Sequence, residues 1–327
     1  IVDVGSWRMK VVMINDCAYV GETLIKYLPK ELEVVHLKRS RGFLSKTLGI
    51  AWKILKSKGD LYHVHYLLQD CYLALKFGKR PIIGHAHGSD LRDTLHSKKW
   101  GRIVKYNLEN CDKILVSIPT ILEIAKEFNE TAEYMPNPYD QEIFYPKPLP
   151  PEREVKNVFI ASKHDFRLKG TDKFFYALSN VSVPLKIKSI RSGVNFRDAE
   201  RLARRLKLDV QFISKVPHQR MNELYWESDL VLGSYGTGQL DMVAIEAMAC
   251  GRPVIHHIHK KYYPDCPLEE FSSTEDVKEI IEKILLSRRE AERRVKLQLE
   301  YVEKNHNPYK IAKLVRDIYY SLEHDYI

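Results

Sequence analysis

The chain has 327 residues, of which 44% are hydrophobic and 29% charged, and a formal net charge of +9. That length fits two domains with separate packed cores, and no apolar run approaches the roughly 18 residues a membrane-spanning helix needs. The five cysteines (Cys17, Cys71, Cys111, Cys250, Cys266) are odd in number and widely spaced, without metal-ligand or redox spacing. They argue against a disulfide or zinc scaffold and for reduced thiols in the cytoplasm. The positive charge fits nucleic acid, anionic lipid, a phosphorylated substrate or simply a solvated Lys/Arg/Glu surface. Without a recognisable module or a base-stacking aromatic array, nucleic acid ranks last.

Ile1 to Arg8 lacks the apolar core of a secretory signal, and Met9 reads as the natural start of the first strand. From there the chain alternates apolar strands with helical patterns. Lys10–Ile14, Glu33–Leu37, Asp60–His65, Pro81–His85 and Lys113–Ser117 read as short buried strands. Helices intervene near Thr23–Leu28, Leu44–Lys56, Cys71–Phe77, Gly101–Asn110 and Thr120–Phe128. Such alternation predicts right-handed crossovers and a parallel sheet, with functional loops at the carboxyl ends of the strands.

Three of those loops carry candidate residues. Asn15-Asp-Cys-Ala-Tyr-Val-Gly21 is a strand–glycine–helix phosphate loop whose only glycine is Gly21. His63-Val-His65 and His85-Ala-His87-Gly-Ser-Asp90 each bring two histidines to one strand face. Neither pair has a third metal ligand nearby in sequence, so no metal is expected. The better reading of His87-Gly-Ser-Asp90 is a polar cluster at a strand end, with a hydrogen-bonded structural histidine as its alternative. In the segment 38–58, Leu44, Leu48, Ala51 and Leu55 form a helical stripe expected in the core. Phe43, Ile50, Trp52 and Ile54 widen the apolar arc, and the surrounding charges are all basic. A buried face with a solvated rim is the leading reading; docking on an anionic membrane is the alternative.

Four prolines between Pro146 and Pro151 forbid helix, which puts the domain boundary at 150. The second domain, 151–307, repeats the alternation: strands at Asn157–Ala161, Leu185–Ile190, Asp209–Ile213 and Asp229–Ser234, and a helix from Thr171. Lys163, Arg167 and Lys169 bring three cations to one strand end, which suits a diphosphate. Val216 opens a loop, and the strand before Tyr235 leads into the segment that organises the domain, Leu240 to Ile255. There Asp241 is a good N-cap for a helix that Gly251 ends. Helix N–H groups at Met242 and Val243 make an anion site, and Glu246 can accept two hydrogen bonds from a ribose diol. His256-His-Ile-His259 is flanked by Lys260 and Lys261, which repel a cation. The charged run Glu275–Tyr301 reads as a solvated helical face, and Asn307-Pro308 separates it from a last helix, Tyr309–Leu322.

Glu246-Ala-Met-Ala-Cys-Gly-Arg-Pro-Val254 resembles the EAMACGxPV segment of family 4 retaining glycosyltransferases. His87-Gly-Ser-Asp90 resembles that family's HGxD. Met135-Pro-Asn-Pro-Tyr-Asp140 with Phe144-Tyr-Pro146 resembles PNxxD…FxP, and Ser162–Gly170 resembles GRLxxxKG. The resemblance implies the GT-B fold, an α/β architecture of two Rossmann-like domains with parallel sheets facing across a cleft. It also implies that the last helix, about 308–327, crosses back to the acceptor domain, 9–150. By the same resemblance Glu246 holds the ribose, and Met242 and Val243 face the diphosphate and donor sugar. Val216 borders the base, His87 faces the transferred sugar, and Asp90 is the next candidate at the reacting centre. Lys169 matches the family's lysine. Lys163 stands for its arginine with one extra residue between, whereas His164 has the strict spacing. The chain departs from the pattern at Gly238, where the family has a glutamate, and at Leu240-Asp241, where it has Phe-Gly.

The expected function is transfer of a sugar from a nucleotide-diphosphate sugar to a glycan, lipid-linked or small-molecule acceptor, without a cofactor or metal. The expected location is cytoplasmic, with membrane association where 38–58 docks. A nucleotide-sugar epimerase is a weaker rival, having no assignable acid–base pair. The rival from another class is a non-catalytic GT-B protein that binds nucleotide or glycan, or scaffolds a partner; Gly238 is its support.

Overall fold

The computed structural model describes residues 8–39 and 48–324. The chain divides into two compact units, residues 1–138 with 308–327, and residues 139–307. The first holds strands β1 (Lys10–Ile14), β2 (Glu33–Leu37), β3 (Leu61–His65), β4 (Ile82–Ala86), β5 (Lys113–Val116) and β6 (Glu133–Tyr134). They form one sheet in the order β2-β1-β3-β4-β5-β6, with every pairing parallel. The second unit holds β7 (Lys156–Ile160), β8 (Leu185–Ile190), β9 (Val210–Ile213), β10 (Leu230–Leu232) and β11 (Val254–Ile255). Their order is β11-β10-β7-β8-β9, again parallel throughout. Every residue of β3, β4 and β10 is buried, as expected of parallel strands covered by helices on both faces.

The predicted strands all occur, with ends displaced by no more than a few residues. Strand β6 and the helices Phe196–Arg205 and Met221–Trp226 go beyond the expected set. In the first of these helices Ala199, Leu202 and Ala203 are buried at helical spacing, a stripe already present in the sequence. The chain passes to the second unit at Pro138/Tyr139, before the proline-rich stretch. The reason lies in the second core: Phe144 is buried in it, and the Arg252 guanidinium donates to the carbonyls of Lys147 and, at 2.7 Å, Pro148.

Two readings of faces are corrected. Leu48, Trp52 and Leu55 are 70%, 60% and 45% exposed, whereas Ile50 and Ile54 enter the core. The Ile50–Lys56 helix is thus rotated from its expected setting, because the core takes the β-branched pair; Phe43 and Leu44 lie outside the described residues. The charged run near the C-terminus is two helices, Thr274–Leu286 and Arg288–Asn305. Ser287 caps the second by accepting from the Glu290 N–H. Arg294 in that run is buried against Glu269. Gln298 is also buried and bonds both the N–H and the C=O of Val254, so this face is not solvated throughout.

Candidate functional site

In the second unit the Met242–Ala249 helix opens at Asp241, whose extended backbone and side chain make the N-cap. Asp241 Oδ1 accepts from the Ala244 N–H at 3.3 Å, and Oδ2 holds Lys169 Nζ at 2.6 Å. Burial alone would raise Asp241, but Lys169 outweighs it and holds the carboxyl below its usual value. His256 accepts the Ser234 N–H at Nδ1 and bonds the Gln239 carbonyl through Nε2 at 2.8 Å. That pairing fixes it as a neutral Nε2–H ring. His256 is therefore a loop anchor.

Glu246 lies just over a turn inside the helix and is 3% exposed. Its Oε1 is 2.7 Å from His218 Nε2, and its Oε2 accepts from the Tyr225 hydroxyl at 3.2 Å. Burial raises its pKa, while the His218 and Tyr225 hydrogen bonds oppose the rise. Each carboxylate oxygen keeps a second lone pair for a diol. His218, two residues after the expected base-side loop residue Val216, is a partner that sequence motifs did not single out. Val216 itself is half-buried against the second core.

The cation loop between β7 and the Thr171–Leu178 helix separates its members. Lys163 and Arg167 are exposed, whereas Lys169 is tied to Asp241. His164, at the strictly spaced arginine position, is fully buried, 2.9 Å from Ser189 Oγ and stacked on Phe175. Burial pushes its pKa down to about 4. It belongs to the core. Tyr235 also turns inward: its ring is 6% exposed, meets Phe174 and Phe271, and lies under Lys173 Nζ at 4.4 Å. Its backbone N–H ties it to the loop, donating to the Lys169 carbonyl at 2.7 Å.

Gly238 has φ +63°, and a β-carbon there would sit 2.3 Å from the His259 ring. The space a glutamate side chain would need at this position is occupied by His259, whose N–H donates to the Gly238 carbonyl at 2.9 Å. Both Asp241 oxygens are engaged within the chain, one by the Ala244 N–H and the other by Lys169.

In the first unit, parallel register puts His65 opposite His85. The two histidine pairs become one stack, with centroid spacings of 4.8 Å for His63–His65, 4.4 Å for His85–His87 and 5.1 Å for His65–His87. His87 has both nitrogens engaged, Nδ1 with Ser117 Oγ and Nε2 with His65 Nδ1, each at 2.9 Å. Asp90 is 1% exposed and accepts N–H groups from His87, Gly88, Leu91 and Leu67. Burial raises its pKa to about 6 against those hydrogen bonds. It clamps the turn that carries His87. Gly21 is inside the first helical turn; the left-handed residues of its loop are Asn15, Ala18 and Tyr19. Its lack of a side chain serves close approach, since a β-carbon would lie 3.0 Å from His65 Nε2.

Among the described residues, His63/His65/His85 and His257/His259/Glu270 group ligand atoms within 4.8 Å. The third ligand that neither sequence pair offered comes from the neighbouring strand. In the first group His63 and His85 bond one another at 3.1 Å, and their remaining nitrogens bond Tyr319 and Ser117.

Comparison with known proteins matches residues 178–317 to the family described as glycosyl transferase-like. An uncharacterised glycosyltransferase of Methanocaldococcus jannaschii is 30% identical over 243 residues, 68% of this chain and 63% of that protein. N-acetyl-alpha-D-glucosaminyl L-malate synthase of Bacillus anthracis is 21% identical over 212 residues, 60% of this chain and 56% of that protein. The chain thus spans about six-tenths of the length of these relatives. Among solved structures, Anabaena HepE in complex with UDP and glucose superposes with a TM-score of 0.72 at 14% identity, over 96% of this chain and 100% of that one. Residues 178–317 therefore match a glycosyl transferase-like family, in a chain that has the GT-B fold.

Proposed function

We propose that this protein is a retaining glycosyltransferase that moves a sugar from a nucleotide-diphosphate donor to a hydroxyl of a glycan, lipid-linked or small-molecule acceptor. Glu246 carries the reading: a buried carboxylate with spare lone pairs, just inside a helix whose first N–H groups, at Met242 and Val243, are those of an anion site. In this reading Glu246 binds the ribose and the helix N-terminus takes the diphosphate. Lys163, Arg167 and Lys169 neutralise the charge that develops as the diphosphate leaves, so no metal is required. Lys169 exchanges its Asp241 partner for phosphate oxygens. His87, held by the Asp90 clamp, faces the transferred sugar. The likeness to HepE, solved with UDP and glucose, supports a nucleotide-sugar donor.

Thermal unfolding with UDP, GDP, ADP and TDP tests the site. One nucleotide at a hundred times its dissociation constant should add about 2.7 kcal/mol to the wild type and nothing to Glu246→Ala. No stabilisation by any nucleotide would overturn the reading. Product formation from the matching nucleotide-sugar should persist in excess chelator; a loss restored by a divalent cation would refute the metal-free part. Nucleotide binding without turnover would instead favour a non-catalytic binding protein, the reading that the His259-filled space beside Gly238 supports.

We further infer a cytoplasmic location with peripheral membrane contact. No described helix is long and apolar enough to cross a membrane. The exposed Leu48, Trp52 and Leu55 lie beside Lys53 and Lys56, a basic apolar edge suited to an anionic surface. Co-sedimentation with anionic liposomes should fall on Lys53→Glu/Lys56→Glu; unchanged binding, or none at all in the wild type, would remove this contact.

A further inference from the structure

Two of the cysteines meet inside the first unit. Cys71 lies in the Gln69–Lys76 helix, and Cys111, forty positions on, caps the C-terminus of the Gly101–Asn110 helix. Their sulfurs are buried and 3.6 Å apart. No short-range spacing marks the pair, because the contact forms when the two helices pack against each other. Gly84 in β4 leaves the space it needs: a β-carbon there would sit 2.9 Å from Cys111 Sγ. The remaining thiols have other surroundings. Cys17 Sγ is 3.3 Å from the Tyr66 hydroxyl, and Cys250 and Cys266 are buried in the second core.

The backbone around both residues is held by other bonds. Asn107 Nδ2 donates to the Leu68 carbonyl at 2.9 Å, tying the second helix to the residue before the first. The Cys111 N–H donates to the Asn107 carbonyl at 3.0 Å, and Asn129 Nδ2 donates to the Cys111 carbonyl at 2.9 Å. The helices therefore stay in place while the two thiols turn. A disulfide is about 2.05 Å long, so closing the 3.6 Å gap moves each sulfur by about 0.8 Å. The Cys111 contact, and then burial, push the Cys71 thiol well above its ordinary pKa. Little thiolate forms there at neutral pH, so the dithiol is the resting state. Cys111 is 5% exposed and Cys71 0%, which makes Cys111 the sulfur that a small oxidant reaches first.

We propose that Cys71 and Cys111 are a modification site, forming a reversible disulfide on exposure to hydrogen peroxide and so stapling the segment that carries β4 and the His87–Asp90 turn. The Cys111 sulfur attacks one peroxide oxygen, the O–O bond breaks, and the thiol proton leaves with the other oxygen as water. The Cys71 sulfur then attacks the resulting Cys111 sulfenic acid. Its S–O bond breaks, and the Cys71 proton leaves with the hydroxyl as a second water. The two thiols together give up two electrons, and one peroxide becomes two waters. The cross-link closes the chain from 71 to 111 into a loop and removes conformational freedom from the unfolded state. This goes beyond the transferase reading and does not rest on it.

The test treats the folded full chain with hydrogen peroxide, quenches it with catalase, alkylates the remaining thiols in denaturant and maps the peptides by mass. The Cys71 and Cys111 peptides should appear joined, two hydrogens lighter than their sum, and come apart in dithiothreitol. Both peptides alkylated after treatment would overturn the proposal. So would Cys111 arrested as a sulfinic acid, or either cysteine joined to a different one. Thermal unfolding reads the staple itself. The oxidised protein should melt roughly 5–10 °C higher than the reduced one, and dithiothreitol should return it to the starting midpoint. A joined pair with an unchanged or lower midpoint would refute the stapling. Cys71→Ala, treated in the same way, should gain nothing, and a rise in that variant would assign the effect to another oxidation. Should it fail to fold, Cys111→Ala serves as the same control. Failure to bind any nucleotide would sink the transferase reading and leave the cysteine pair standing.

Discussion

Gly238 illustrates how one backbone conformation decides what a site can hold. With φ at +63° and the His259 ring filling the space outward of its α-carbon, the position rejects any side chain. Gly238→Glu, which restores the family's residue, should therefore destabilise the protein by roughly 2–4 kcal/mol through left-handed strain and overpacking. Urea unfolding checks this, and a stability within about 0.5 kcal/mol of wild type, the range of a neutral surface change, would show that the loop yields. Asp241 combines two duties, capping its helix and holding Lys169. Asp241→Asn keeps the cap and removes the charge, so its difference from Asp241→Ala reads the cap and its difference from the wild type reads the charge. The alanine variant should be the less stable by about 1 kcal/mol.

Among the elements, the segment around Arg252 shows a side chain acting as a structural bolt. Arg252 is fully buried, and its guanidinium donates to the carbonyls of Lys147, Pro148, Trp226 and Cys250. Burial lowers its pKa to about 10, so the group stays charged at neutral pH. The planar fork reaches several carbonyls that a single ammonium cannot. Arg252→Met should cost on the order of 3 kcal/mol by leaving buried carbonyls unpaired, and Arg252→Lys should recover only part of that. Equal stability of the arginine and lysine proteins in urea would contradict this account. The same segment's proline-rich partner explains why the compact second unit begins before 150: the stretch is pinned by a residue more than a hundred positions away.

For the molecule as a whole, buried neutral histidines should dominate the acid limb of stability. Burial lowers His63, His65, His85, His87, His164 and His256 in the folded state. In the unfolded chain these rings take up protons below about pH 6.5. Between that pH and the folded values the unfolded state binds more protons, so stability falls as pH falls, by roughly 1.4 kcal/mol per unit for each ring. Asp90, raised to about 6, works the other way between its unfolded value and pH 6, as do Asp16, Asp172, Glu246 and Glu323, which are raised in the same direction, and these carboxyls do not offset six rings between pH 7 and pH 6. The urea midpoint should drop steeply from pH 7 to pH 5; a flat profile would mean that the rings are solvated. The Pro308–His324 helix packs Ile311, Ala312, Val315 and Tyr319 inward, and Tyr309 meets Tyr27 edge-on at 5.0 Å. Ending the chain before Pro308 should speed hydrogen exchange in β1 and β3 while leaving β7 and β10 protected.

Local pattern alone determined the repeated strand–helix alternation, hence two parallel-sheet units. It also placed the Asp241-capped helix with Glu246 inside it. Apolar runs bounded by turn residues, a cap and a glycine stop act over a few residues, so they are visible in the chain itself. Tertiary structure decided what depends on contacts between distant segments. Whether Ile50 or Leu48 faces the core is set by the sheet beneath them. The partners of Glu246, His218 and Tyr225, lie more than twenty residues away. The hydrogen-bonded histidine stack needs the β3–β4 register, Ser117 from the end of β5 and Tyr319 from the last helix. No spacing in sequence encodes that assembly, because each pair of side chains meets only after the sheet has set the register between strands.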